Sequence, residues 1–228
     1  MTYDDLNESD RIKFDDYIIH ATIIKQDKPK DDDTSIYQIF KRLNSGGKKL
    51  VPQEIRSAIY HGKFIDFLDN VNQNEYWRQI FGPIHNRLKD KELILRFLAM
   101  YYFGNKYKKP MTEFLNIFTK NNRFTDDNIL EKYERLFYNT ISVLFNTIGN
   151  NVFRRDKLII AAIYDSVMVG VANRIELNNT KINSNKFKLA YKSLLKNNEY
   201  LDSVSHHTSD ESRVKIRLTK SIEAFQSI

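Results

Sequence analysis

Between Ile129 and Ile148 the apolar residues Ile129, Leu130, Tyr133, Leu136, Phe137, Ile141, Leu144, Phe145 and Ile148 recur at helical intervals, and Gly149 ends the run. A pattern of that length fits only an α-helix, whose apolar stripe must be buried against other elements. Thr125, Asp126 and Asp127 precede it with capping side chains, and glycine is the usual residue just past a helix end. A chain with such a segment has to supply partner helices. Stripes of the same period predict them at Phe64–Val71, Glu75–Phe81, Lys91–Phe103, Met111–Phe118, Lys157–Glu176, Asn185–Asn197 and Asp210–Phe225. In Lys91–Phe103 the expected core side chains are Leu93, Ile94, Phe97, Leu98, Tyr101 and Tyr102. Only seven glycines and four prolines interrupt 228 residues that are 41% hydrophobic, which favours packed helices over a loop-rich fold. The expectation is a mainly α, multi-helix globular bundle in a single domain over residues 1–228.

Leu158–Ala172 is apolar on nearly every side and predicts the central buried helix. It is shorter than the ~20 residues that span a bilayer, and it carries Asp165 in its middle, so no membrane partner is expected. Met1–Asp10 is acidic and polar, without the pattern of a secretory signal, which points to a cytoplasmic location. The absence of cysteine removes disulfides, thiolate metal sites and cysteine nucleophiles.

One stretch departs from the helical rule. Tyr17–Ile24, YIIHATII, is β-branched and aromatic and reads as a short N-terminal β-strand within a segment covering residues 1–35. No second convincing strand run is present. The strand therefore pairs with a partner chain or a second copy, or lies covered by helices. Between it and the next helix, Lys28–Asp33 is a charged stretch whose adjacent aspartates cannot all face one ion, and Asp33 or Thr34 suits an N-cap.

Ile36, Ile39, Phe40 and Leu43 form a short helical stripe that stops at Asn44, Ser45, Gly46 and Gly47; Lys48, Lys49 and Leu50 then lead to Pro52, a good first-turn residue, with Glu54 near the positive helix end. The corner has two readings. In one it is a plain helix ending with solvated lysines, Glu54 bridges to Arg42 or Arg56, and Asn44 caps its own turn. In the other, Arg42, Asn44, the Gly46–Gly47 backbone and Lys48 belong to an anion site that Gln53, Glu54 and Arg56 help to complete.

Phe40-x-Arg42-Leu43-Asn44-x-Gly46-Gly47, followed by Leu50 and by Gln53-Glu54-x-Arg56, resembles the signature of a bacterial domain-of-unknown-function family found in GmrSD-type modification-dependent restriction endonucleases and related phage-defence proteins. Lys91–Ala99, Met111 with Phe114–Asn116, Val152–Arg154 and Asp165–Val169 are similar to later blocks of the family, and together they cover roughly Phe14 to Ile222. The resemblance implies the helical back part of that domain. The family's usual Asp-Gly-Gln-Gln-Arg motif, in a ParB/sulfiredoxin-like front half, is missing from this chain, as is a His-Asn-His nuclease module. The first 35 residues then look like the tail of a front half, and residues 36–228 like the helical domain. In function the resemblance implies a recognition or regulatory module that contacts DNA, or that completes a nucleotide site with a front-half polypeptide, a nuclease polypeptide or a second copy. The isolated chain is expected to need no cofactor and to catalyse nothing; the complete protein would use a nucleotide and magnesium. A divergent nuclease or NTPase, or an inactive remnant, are the alternatives.

A net charge of +7 favours a polyanionic partner, although a lysine- and asparagine-heavy composition gives the same charge without one. Two clusters stand out as candidate nucleic-acid contacts. In the last helix Arg213, Arg217 and Lys220 fall near one face, opposite Val214, Leu218, Ile222 and Phe225, and are expected to point outward. Arg154, Arg155 and Lys157 precede the central helix at its positive end and need compensation from a bound phosphate or from a carboxylate, Asp165 or Glu92. Ser205–Glu211, SHHTSDE, reads as a polar linker, and the five histidines show no metal-ligand spacing beyond the adjacent His206 and His207. No catalytic residue is assigned.

Overall fold

The computed structural model describes residues 2–18, 21, 23, 34–43, 49–177, 182–226 and 228. Within them lie twelve α-helices: α1 (Glu8–Asp15), α2 (Thr34–Leu43), α3 (Pro52–Ile59), α4 (Lys63–Val71), α5 (Glu75–Phe81), α6 (Lys89–Phe103), α7 (Met111–Asn122), α8 (Asp127–Ile148), α9 (Ala161–Leu177), α10 (Ser184–Leu194), α11 (Asn198–Ser205) and α12 (Glu211–Gln226). The mainly α architecture expected from periodicity is the one found.

The central helix is α9. Every residue from Ala162 to Ala172 is buried, and the helix packs against α6, α8 and α12. Its packing against α12 is the most extensive between any two elements, because Gly170 lets the backbones meet. A Cβ at Gly170 would lie 2.4 Å from Ser221 Oγ and 2.7 Å from the Ser221 carbonyl oxygen. Gly170→Ala should therefore push the two helices apart and cost about 1–3 kcal/mol, read as a lowered melting temperature in a thermal unfolding scan.

The long helix α8 closes one side of the core. Its end is set by Gly149, which adopts φ 100° and donates its N–H to the Leu144 carbonyl at 3.3 Å. Phe137 on its inner face meets Trp77 of α5 edge-on at 6.1 Å between ring centres. Trp77 is fully buried, and its indole N–H donates to Asn72 Oδ1 at 3.0 Å, so the ring is buried without an orphaned polar atom. In α6, Leu93, Ile94, Phe97 and Leu98 are in the core as expected, whereas Tyr102 is 40% exposed and lies against Tyr133.

The β element among the described residues was not expected, and Ile19, His20, Thr22 and Ile24 of the expected strand lie outside the described residues. It is a two-stranded antiparallel hairpin, β1 (Arg154–Arg155) and β2 (Leu158–Ile159), with Arg154 opposite Ile159 and Arg155 opposite Leu158. Asp156 in its turn takes the left-handed φ of 57° that two-residue hairpins need. This hairpin also delays the central helix, which starts at Ala161 rather than at Lys157. Of the expected strand Tyr17–Ile24, the described residues Tyr17, Ile18, Ala21 and Ile23 lie outside any strand and are exposed where their burial is described. The hydrogen-bond partner that a strand requires is not there for them among the described residues. Two short helices, α1 and α11, were not expected. The expected Asn185–Asn197 helix ends at Leu194, and the Asn197 side chain accepts from the Tyr200 N–H at 2.9 Å, starting α11 instead. Among the described residues no helix is long and apolar enough to cross a membrane.

Candidate anion-binding cleft

A cleft of about 460 Å³ opens where the N-terminus of α3, the 82–88 loop, α6 and α7 meet. Pro52 occupies the first turn of α3, and the Glu54 carboxylate closes that turn by accepting the Val51 N–H at 2.7 Å. The same carboxylate stands 2.9 Å from Arg87 Nε, close enough for an ion pair but without hydrogen-bond geometry. Arg87 also donates through Nη2 to the Lys49 carbonyl at 2.5 Å, which ties the loop to the start of α3.

Gln53 and Arg56 sit inside. Arg56 is fully buried and joins three helices: Nε donates to Asn116 Oδ1 of α7 at 3.0 Å, Nη1 donates to Gln53 Oε1, and Glu92 of α6 lies 3.7 Å away. Burial lowers the Arg56 pKa, and the Glu92 carboxylate opposes that effect. An arginine stays charged even so, which leaves a desolvated cation whose only ion pair among the described residues is a loose one.

Arg96, one turn along α6 from Glu92, reaches the other way. It clamps Asp165 of α9 with Nε at 3.0 Å and Nη2 at 2.5 Å, while Nη1 has no partner among the described residues. Burial works against the Arg96 charge, and the Asp165 carboxylate more than offsets it, so the pKa is raised. Asp165 also receives Arg217 Nη2 at 3.4 Å from α12.

The loop that carries His85 and Arg87 is fixed by Asp90, a fully buried carboxylate. It accepts from Asn72 Nδ2 at 2.9 Å, Arg78 Nη1 at 3.0 Å and the His85 N–H at 3.1 Å. A carboxylate with this many donors is a rigid anchor. The walls of the cleft are consequently held from behind. Arg56, Arg87, Lys89 and Arg96 line it with one carboxylate, Glu92, while Pro52, Met111 and Leu115 give it an apolar side. Lys89 is exposed and makes no ion pair among the described residues. An arrangement of this kind can hold an anion attached to an apolar or flat body.

The residues nominated from sequence are only partly brought together. Asn44, Gly46, Gly47 and Lys48 lie outside the described residues, and Arg42 is exposed at the end of α2. Gln53, Glu54 and Arg56 do converge. However, Glu54 pairs with Arg87 rather than with Arg42 or Arg56, because the 82–88 loop brings a nearer guanidinium. Sequence reasoning missed Arg87, Lys89 and the role of Arg96. The one signal available was an arginine inside the apolar run Leu93–Leu98, a place where a charge needs a partner.

Both basic clusters are largely spoken for. Arg154 donates through Nη2 to the carbonyls of Ile80 at 2.8 Å and Phe81 at 3.2 Å, the negative end of α5, and through Nη1 to the Lys157 carbonyl at 2.6 Å. Neither Asp165 nor Glu92 compensates it, contrary to expectation; Asp165 serves Arg96 and Arg217, and Glu92 serves Arg56. Arg155 Nη1 donates to Ser205 Oγ at 3.1 Å, and Lys157 is exposed. Arg217 does not point outward: it is fully buried and donates to the Thr208 carbonyl at 2.6 Å as well as to Asp165. Arg213 pairs with Asp202, and Lys220 lies 2.9 Å from Glu199. Among the described residues no three His, Asp or Glu side chains gather as a metal site would require.

No family model, curated protein or solved structure matches this chain.

Proposed function

We propose that this chain is a helical recognition module of the restriction or phage-defence type, and that its cleft between α3, α6 and α7 holds a nucleoside phosphate. The observation that carries the reading is a cleft lined by Arg56, Arg87, Lys89 and Arg96, in which Glu92, Glu54 and Asp165 hold the three arginines in place and Lys89 is exposed without an ion pair among the described residues. The resemblance adds a second support. Arg56 of the signature block and Glu92 and Arg96 of the later block belong to separate stretches of sequence, yet they line this one cleft, and Gln53 and Glu54 of the signature block pair with its arginines Arg56 and Arg87. Pre-positioned guanidinium groups bind phosphate without ordering cost, and the Met111 and Leu115 wall accommodates a base or sugar face. No bond-breaking step is assigned to it.

Isothermal titration with inorganic phosphate and with nucleoside mono- and diphosphates tests the assignment. Nucleotide binding is expected, and Lys89→Ala should weaken it by about 10- to 100-fold, the worth of one hydrogen bond to a charged group, with the melting temperature unchanged. Absence of binding by every probe at millimolar concentration, or full binding by Lys89→Ala, would refute the assignment.

A further inference from the structure

The clusters nominated from sequence spend most of their charge on partners within the chain, but one helix does not. From Asn183 to Asn198 the chain reads NSNKFKLAYKSLLKNN, with four lysines and no acidic residue. Helix α10 occupies most of it. Phe187, Tyr191 and Leu194 are buried, and Phe187 stacks on Phe225 of α12 at 4.9 Å, which fixes the orientation of the helix. Lys186, Lys188, Lys192 and Lys196 are all exposed on the remaining side, and none has an ion-pair partner among the described residues. The nearest acid in sequence, Glu199, is already taken by Lys220 at 2.9 Å.

Lys188 and Lys192 stand one turn apart, where like charges destabilise a helix, and Lys196 lies just beyond its end. Packing alone holds this charge density in place. The donors of the helix N-terminus are not what attracts an anion, because Asn183 Oδ1 already accepts from the N–H groups of Asn185 and Lys186, each at 3.1 Å. We infer that the solvent face of α10 is a contact surface for the phosphate backbone of a nucleic-acid duplex, read without sequence preference. Charge complementarity selects a polyanion, and the flanking Ser184, Asn185, Ser193 and Asn197 supply further hydrogen-bonding groups to phosphate oxygens. An anionic membrane surface fits less well. Insertion needs a broad apolar face, and the exposed side of α10 offers only Leu189. The surface is separate from the cleft and does not depend on it.

Fluorescence anisotropy of a labelled DNA duplex, titrated between about 50 and 200 mM salt, tests the assignment, with the triple variant Lys188→Ala, Lys192→Ala, Lys196→Ala as comparison. Alanine preserves helix propensity, and a circular dichroism melt checks that the fold is unchanged. Removing one phosphate-neutralising lysine flattens the slope of log affinity against log salt by about 0.9, so the triple variant should be flatter by about 2–3. The same triple variant should bind nucleotide as tightly as the unaltered chain in the isothermal titration, because none of the three lysines lines the cleft, which separates failure of this surface from failure of the nucleotide site. An equal slope for the triple variant and the unaltered chain, no duplex binding at all, or lysine-dependent binding to phosphatidylserine vesicles in place of DNA would each overturn the inference.

Discussion

Asp165→Ala is expected to destabilise the fold by about 3–5 kcal/mol, the cost of leaving buried charges without their partner. Asp165 is fully buried in the middle of α9 and is the only carboxylate within ion-pair distance of Arg96 and Arg217 among the described residues. Burial also pushes the Arg217 pKa down, and the Asp165 charge is the largest effect opposing it. Its removal would strand two guanidinium groups in the core, one with an Nε that already lacks a partner. For a chain of this size that cost corresponds to a fall of roughly 6–20 °C in melting temperature, measurable by differential scanning calorimetry. A change of only a degree or two would show that the cluster does not hold α6, α9 and α12 together. Replacing Arg96, Asp165 and Arg217 together by apolar residues of similar volume should recover much of the stability, because no charge is then left buried.

Arg56→Ala should be comparably severe, again about 3–5 kcal/mol by thermal melt, since Gln53, Asn116 and Glu92 would be deprived of a shared partner in a space emptied of a large side chain. Arg56→Lys should rescue little, because an ammonium cannot reach Asn116 and Gln53 at once with the geometry of a guanidinium. The contrast with Lys89→Ala, which is expected to change ligand affinity and not stability, separates the scaffold of the cleft from its mouth. An Arg56→Ala protein as stable as the original would remove the structural role given to that residue.

Periodicity made most of the fold legible. The Ile129–Ile148 stripe and the Gly149 ending correspond to α8, whose N-cap position falls at Asp126 although that side chain makes no capping hydrogen bond, and Glu75–Phe81 coincides with α5, because these elements are decided largely by local spacing. What depended on distant partners was not legible. Tyr17, Ile18, Ala21 and Ile23 have strand composition, but composition supplies no neighbour, whereas the hairpin among the described residues is two arginines and a Leu-Ile pair joined by Asp156 and Lys157, too short to register as β-rich. Arg217 lies on the helical wheel between Arg213 and the apolar Val214, and its inward course is set by Asp165, which sequence spacing does not connect to it. The site was half visible. Gln53, Glu54 and Arg56 were nominated, but Arg87, Lys89 and Arg96 join them only because α6 and the loop before it fold back beside α3.

The close meeting of α9 and α12 at Gly170 also bears on how the chain comes into being. On a ribosome, α9 is complete about 34 residues before the first residue of α12 is made. At about 5–20 residues per second that interval lasts roughly 2–7 s, during which the most extensive helix pairing in the molecule has only one of its halves. Upstream helices can gather on the α6 and α8 sides of α9 in that time, while the strip around Gly170 stays uncovered. The nascent chain thus passes through a stage with a nearly finished core and one bare apolar seam, and that seam is where a chaperone or another unfinished copy would first make contact.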